Sequence, residues 1–193
     1  MSTPPLADFL PGRLSISKGR PIDYRALESF HYLGGRPATW AGVWVIRFTA
    51  QSYRSQPDPR PVPDAIVAVG VLSYPVPTCV AREHHFHLRG QSYGRRLRFA
   101  NQHLRTISRV VVHPQFRSLG LASQLVHCIC NHCPTRYVEA MAVMGDTHPL
   151  FEAGGMTRVR FPGEQPHTPS YFLFDRLPTD PPVDAGEEPR SPS

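Results

Sequence analysis

The chain has 193 residues, 40% of them hydrophobic, and a formal net charge of +6. That length suits one domain with a real core, and that hydrophobic share excludes a chain disordered throughout. No apolar stretch approaches the ~20 residues of a membrane span, so a membrane partner is not expected. The start shows no basic segment followed by an apolar run, so a secretory signal is not expected either. The cysteines are Cys79, Cys128, Cys130 and Cys133. The last three crowd on or near one helix, a poor disulfide framework, which points to a reducing cytoplasm.

Residues 1–12 are expected to be a flexible N-terminus and 13–177 one folded domain. Residues 13–17 alternate as a short strand. Pro21 suits a helix N1 position and Asp23 the first turn, predicting a helix to about His31, with Gly34 and Gly35 ending that region. Residues 43–48 and 65–72 read as apolar, β-branched strands joined by the Pro-rich loop 56–64. Residues 76–104 form a long polar excursion rich in Arg and His. Residues 137–143 read as a second buried strand broken by Gly145 and Asp146. A short helix over 147–153 ends at Gly154 and Gly155, and 171–174 is a last strand. The tail 178–193, Pro-rich and acidic, is expected to be disordered. No internal repeat is visible.

The densest signal lies between Ile107 and Ala122. A β-branched run ends at Val112, a His113-Pro114 turn follows, and Arg117-x-x-Gly120-x-Ala122 opens an amphipathic helix. The first N–H groups of a helix have no intrahelical partners, and its dipole favours negative charge there. Gly120 allows close approach of the backbone and Ala122 leaves room beside it, so the loop is able to cradle a pyrophosphate. The plainer reading is a tight strand-to-helix connection with a packing glycine.

That spacing after a Val-rich strand resembles the acyl-CoA signature of the GNAT N-acetyltransferase superfamily. Residues 150–156, Leu-Phe-Glu-Ala-Gly-Gly-Met, resemble the segment after that family's fifth strand. The resemblance covers residues 105–160 well and the N-terminal half loosely. It implies a single α/β domain: a mixed, mostly antiparallel central sheet with splayed strands four and five, flanked by helices. It implies acetyl-CoA or another acyl-CoA as cofactor. Val110, Val111 and Val112 would bind it, with Arg117, Ser118, Leu119, Gly120, Leu121 and Ala122. The implied activity is acyl transfer to an amine acceptor.

The acceptor side departs from the family pattern. Many members carry a Glu on strand four, where this chain has Ser108, and a Tyr after strand five, where it has Phe151. Serine is no base at neutral pH without help. His31, Tyr32 and Glu139 are the replacements in view, with Ser108 as a further cleft residue. A neutral His is a competent base near pH 7. A lone Glu inside an apolar strand is paired, at an edge, or functional. The plainer readings are a capping His and a Glu paired with Arg109.

Between Arg82 and Arg117 lie eight arginines and one acid, Glu83. Phe86, Tyr93 and Phe99 interleave with them, a pattern suited to phosphates and unstacked bases. Arg95, Arg96, Arg98 and Arg109 are the candidate contacts to DNA or RNA, the alternative being a solvated face. Short motifs around His31-Tyr32, Ser108 to Pro114 and Tyr137 to Met156 are also similar to two narrower groups. These are the phage Mom group of DNA-modifying proteins and acetyltransferase-like domains fused to ABC-type ATPases. That resemblance implies adenine modification in DNA as an alternative to amine acylation. A module that binds CoA or nucleic acid without catalysis is the third reading. Cys128, Cys130 and Cys133 with His127 and His132 do not converge as zinc ligands, since successive helical residues turn ~100°. No metal is expected.

Overall fold

The computed structural model describes residues 12–31, 35–50, 65–143, 149–165 and 167–177. The strands are β1 (Gly12–Lys18), β2 (Gly42–Ala50), β3 (Ala65–Ser73), β4 (Leu104–Val112), β5 (Tyr137–Ala142), β6 (Thr157–Val159) and β7 (Ser170–Asp175). They form one sheet in the order β1-β2-β3-β4-β5-β7-β6. The β4–β5 pair is parallel, and the other pairs are antiparallel. The helices are α1 (Val80–His85), α2 (Tyr93–His103), α3 (Leu121–His132) and α4 (Leu150–Ala153). Among the described residues no helix is long and apolar enough to cross a membrane.

Strand side chains alternate between two covered faces, as a period of two requires. Trp44, Ile46, Ala68, Leu72, Ile107, Val138, Ala140 and Phe172 meet the apolar stripe Leu121, Leu125, Val126, Ile129 and Cys130 of α3. On the other face, Val43, Val45, Val69, Val71 and Val111 pack against Tyr24 and Leu27. Further along that face, Leu104, Tyr137, Tyr171 and Leu173 meet Ala81, Phe86, Leu88, Phe99 and Ala100. β3 is buried on both faces, which explains its unbroken apolar run. A Cβ on Gly70 would lie 2.5 Å from Ile129 Cδ1 and 3.1 Å from Leu125 Cδ2, so glycine lets α3 settle close on β3.

Three expectations need correction. The segment expected as one helix to His31 is a pair of 3-10 turns, Pro21–Ala26 and Glu28–Phe30. Its inward residues Tyr24 and Leu27 are three apart, the spacing that a 3-10 turn stacks on one side. Residues 76–104 are not merely a polar excursion, since they form α1 and α2 and build their own core. The short edge strand β6 was invisible as a periodic pattern, being only Thr157–Val159. The short helix begins at Leu150. Residues 144–148, the loop 56–64, Gly34, Tyr32 and the tail 178–193 lie outside the described residues.

Candidate functional site

β4 and β5 pair from Leu104↔Tyr137 to Ile107↔Ala140 and no further. At that point β4 also shifts register against β3. Leu72 faces Ile107 while Val71 faces Arg109, so Ser108 is the extra residue of a β-bulge. Beyond the bulge, residues 109–112 keep β3 as a partner on one side. On the β5 side their backbone edge has no strand partner among the described residues. An unpaired edge is a template for another extended chain or an amide-bearing ligand.

The opening is a cleft of about 760 Å³. Val110, Val111 and Val112 form one wall, with Phe30 and His31 beside them. Arg117, Ser118, Gly120, Leu121, Ala122 and Ser123 form the end, and Pro149, Leu150 and Ala153 close the far side. Gly120 is the N-cap of α3 at φ +73°, and no side chain caps the helix. Ser118 also has positive φ, +66°, in a region that L-residues rarely adopt. The Gly120 carbonyl accepts from Gln124 N and Ser123 Oγ at 3.1 and 2.9 Å, which turns it into the helix. The first-turn N–H groups are therefore the free positive end of the α3 dipole. Every expected loop residue lines this cleft except Leu119, which packs on the α3-side core.

His31 lies on the cleft wall, as does its neighbour Phe30. Burial, and after it the charge of Arg109, hold the His31 imidazole below its ordinary value of 6.5. It is therefore neutral at pH 7. Tyr32 lies outside the described residues. Ser108 Oγ lies 2.6 Å from Ser73 Oγ, which donates to the Thr39 carbonyl at 2.7 Å. The Ser108 hydroxyl therefore ties the bulge to β3. Ser73, at the polar end of an apolar run, is a partner that sequence reasoning missed.

Glu139 sits elsewhere. It is 1% exposed, on the α1–α2 face of β5, and is not part of the cleft wall. Arg82 Nε and Nη2 each donate to it at 2.9 Å. Thr106 Oγ1 and the Tyr171 hydroxyl add donors at 2.7 and 2.9 Å. Burial, then the charge of Glu139, push the Tyr171 phenol well above its ordinary range, so it stays a donor. The partner of Glu139 is thus Arg82 and not Arg109, because α1 swings Arg82 under the sheet. Arg109 instead donates from Nη1 to the Ser108 carbonyl at 2.7 Å. Phe151 is buried and stacks on Phe172 with centroids 5.1 Å apart.

The remaining arginines divide. Arg96 Nη1 donates to Glu83 Oε1 at 2.6 Å, and Arg89 Nη1 meets His84 Nε2 at 2.9 Å. Arg105 stacks over the Tyr74 ring at 4.5 Å. Arg98 is exposed and Arg95 half-buried, both on α2, away from the cleft wall. Cys130 and Cys133 are buried, and burial pushes the Cys130 thiol up to about 12.

No protein-family model matches the sequence, and no curated protein matches it. Solved structures do. NAA60 from Arabidopsis thaliana in complex with acetyl-CoA superposes with a TM-score of 0.51 at 17% identity, covering 85% of this chain and 99% of that one. The GNAT family N-acetyltransferase YhbS from Escherichia coli, in complex with CoA, gives 0.49 at 14% identity over 85% of this chain and 82% of that one. At such identities the likeness is one of fold, and with its parallel β4–β5 pair inside an otherwise antiparallel sheet this chain has the GNAT fold.

Proposed function

We propose that this protein is an acyl-CoA-dependent N-acyltransferase that passes an acetyl-like group to an amine. One observation carries the reading: the edge of β4 that no described strand pairs with and the uncapped N-terminus of α3 open into the same cleft. The NAA60 structure that shares the fold holds acetyl-CoA. The residues present fit such a group. The N–H groups at the start of α3, with Arg117 beside them, would hold the pyrophosphate. The edge of Val110, Val111 and Val112 would pair with the amide-bearing arm as an added strand pairs with a sheet. No carboxylate is found among the described residues of the wall, so nothing there repels the phosphates.

When bound, the acyl-CoA thioester supplies an activated acyl carbonyl. His31, held neutral, accepts at its ring nitrogen the proton that an ammonium acceptor must lose. Ser108 keeps the bulge in place through Ser73.

Calorimetric titration with acetyl-CoA tests the reading. A Cβ on Gly120 meets nothing closer than 3.9 Å, so the variants Gly120→Glu and Gly120→Lys share the same backbone strain and differ chiefly in charge. Wild-type protein should bind. Gly120→Glu should bind at least about tenfold more weakly than Gly120→Lys, the scale of one charge-assisted contact. Equal affinity of the two folded variants would remove the pyrophosphate from this helix end.

A further inference from the structure

We infer that the buried cluster around Glu139 is a positioning device for the transfer site. It sets the rung at which β4 and β5 part, and so aims the β4 edge that would receive the acyl-CoA arm. The inference rests on the acyltransferase reading and gives a role to groups which that reading leaves unused.

Glu139 stands opposite Thr106, and the pairing of β4 with β5 ends one rung later, at Ile107↔Ala140. Its carboxylate joins the elements that meet there. Oε1 accepts from Thr106 Oγ1 of β4 at 2.7 Å and from Arg82 Nη2 of α1 at 2.9 Å. Oε2 accepts from Arg82 Nε and from the Tyr171 hydroxyl of β7, both at 2.9 Å. Arg82 Nη1 donates to the Val76 carbonyl at 2.9 Å, which adds the segment between β3 and α1. Glu139, Arg82, Thr106 and Tyr171 are all buried.

Past that rung the two strands follow different neighbours. β4 turns at the Ser108 bulge and stays with β3 as far as Val112↔Ala68. β5 stays with β7 as far as Ala142↔Ser170. It also stays with α1, since Met141 Sδ lies 3.9 Å from Sγ of Cys79, the N-cap of that helix. The Thr106 bond is the cluster's hold on β4, and it lies just before the strands divide.

The use of charge here is informative. A buried ion pair adds little stability over well-packed apolar side chains of similar volume. It supplies direction instead. Hydrogen bonds fix distance and angle, whereas apolar cores lose uniqueness before they lose stability. At this place the direction fixes β5 against β4 at the apex of the opening between them.

The double variant Arg82→Met with Glu139→Leu separates positioning from support. It should melt near wild type yet hold the divide loosely. In backbone amide NMR of the unliganded protein, residues 108–112 and 140–142 should give one set of signals in wild type. In the double variant those signals should broaden or double while those of α3 stay single. Acetyl-CoA affinity, read by calorimetry, should fall about tenfold, the loss expected when about a tenth of the molecules hold the competent geometry. Thr106→Val removes only the bond to β4 and should act the same way to a smaller extent, with Thr106→Ser restoring the wild-type spectrum. That pair carries the test if the double variant does not fold. A single set of signals at 108–112 and 140–142 in the folded variant, or acetyl-CoA bound as tightly as by wild type, would overturn the inference. Failure of wild type itself to bind acetyl-CoA would count against the donor reading, and the spectra would still decide the positioning role.

Discussion

The corner where β4 meets α3 and the α1–α2 pair both carry arginine against the same sheet, and they use it in opposite ways. At the corner, Arg117 is exposed, Arg109 has no carboxylate among the described residues, and the backbone donors of α3 face an open cleft. In the α1–α2 pair, Arg82 is 2% exposed and holds Glu139 from both Nε and Nη2, while Arg96 is spent on Glu83. On the proposed reading, the exposed charge of Arg117 serves a ligand, whereas the charge of Arg82, met by a carboxylate, serves the architecture. The density of arginine along the chain does not distinguish the two.

Breaking the α1–α2 side should have the largest effect. Glu139→Ala leaves Arg82 buried and uncompensated, at a cost of ~3–5 kcal/mol. For a chain of this size that lowers Tm by roughly 6–20 °C in a thermal melt. The double variant Arg82→Met with Glu139→Leu should recover most of the loss, because a well-packed apolar pair avoids the desolvation of two charges. A Glu139→Ala protein as stable as wild type would deny the network its role.

On the cleft side, His31→Ala should lower the single-turnover rate by ~10²-fold or more with acetyl-CoA affinity unchanged. The wild-type rate should rise with pH through an ionisation below 6.5, since burial and Arg109 both hold His31 down. Arg109→Gln should move that limb upward, and burial should keep it short of 6.5. An unchanged limb would separate the two residues.

Stability itself should follow pH more gently. His31 and His85 are both held below 6.5, chiefly by burial, with Arg109 and His87 respectively adding to it. Between those lowered values and 6.5 the unfolded chain binds more protons than the folded one. Stability is therefore full above 6.5 and lost as pH falls below it. Melts at about pH 7.5 and 5.5 should show the lower midpoint in acid, and His85→Gln should reduce the difference. The smallest effect belongs to Arg95→Ala with Arg98→Ala. These lie off the cleft, so acetyl-CoA affinity should stay within about twofold. A larger change would tie α2 to the donor site.

The corner was legible because its signal is local. The Val-rich strand, the turn through Gly120 and the α3 stripe follow one another in the chain, and each does its work beside its neighbour. The α1–α2 pair was opaque because its partners are remote: Arg82 and Glu139 are 57 positions apart, and nothing between them marks the pairing. The turns before His31 misled for another reason. Pro21 and Asp23 open a 3-10 turn as readily as an α-helix, and the decision falls to Tyr24 and Leu27 against the sheet. Ser108 stood out in the sequence as a serine where the family it resembles carries a strand-four Glu. Its bond to Ser73 depends on a register shift that appears only when β3 and β4 are side by side.

Backbone amide NMR with acetyl-CoA tests the central contrast most directly. The signals of Val110 to Val112 and Ser118 to Ser123 should shift on titration, while those of α1 and α2 stay in place. Shifts confined to α1 and α2, or none in a folded protein, would contradict the account.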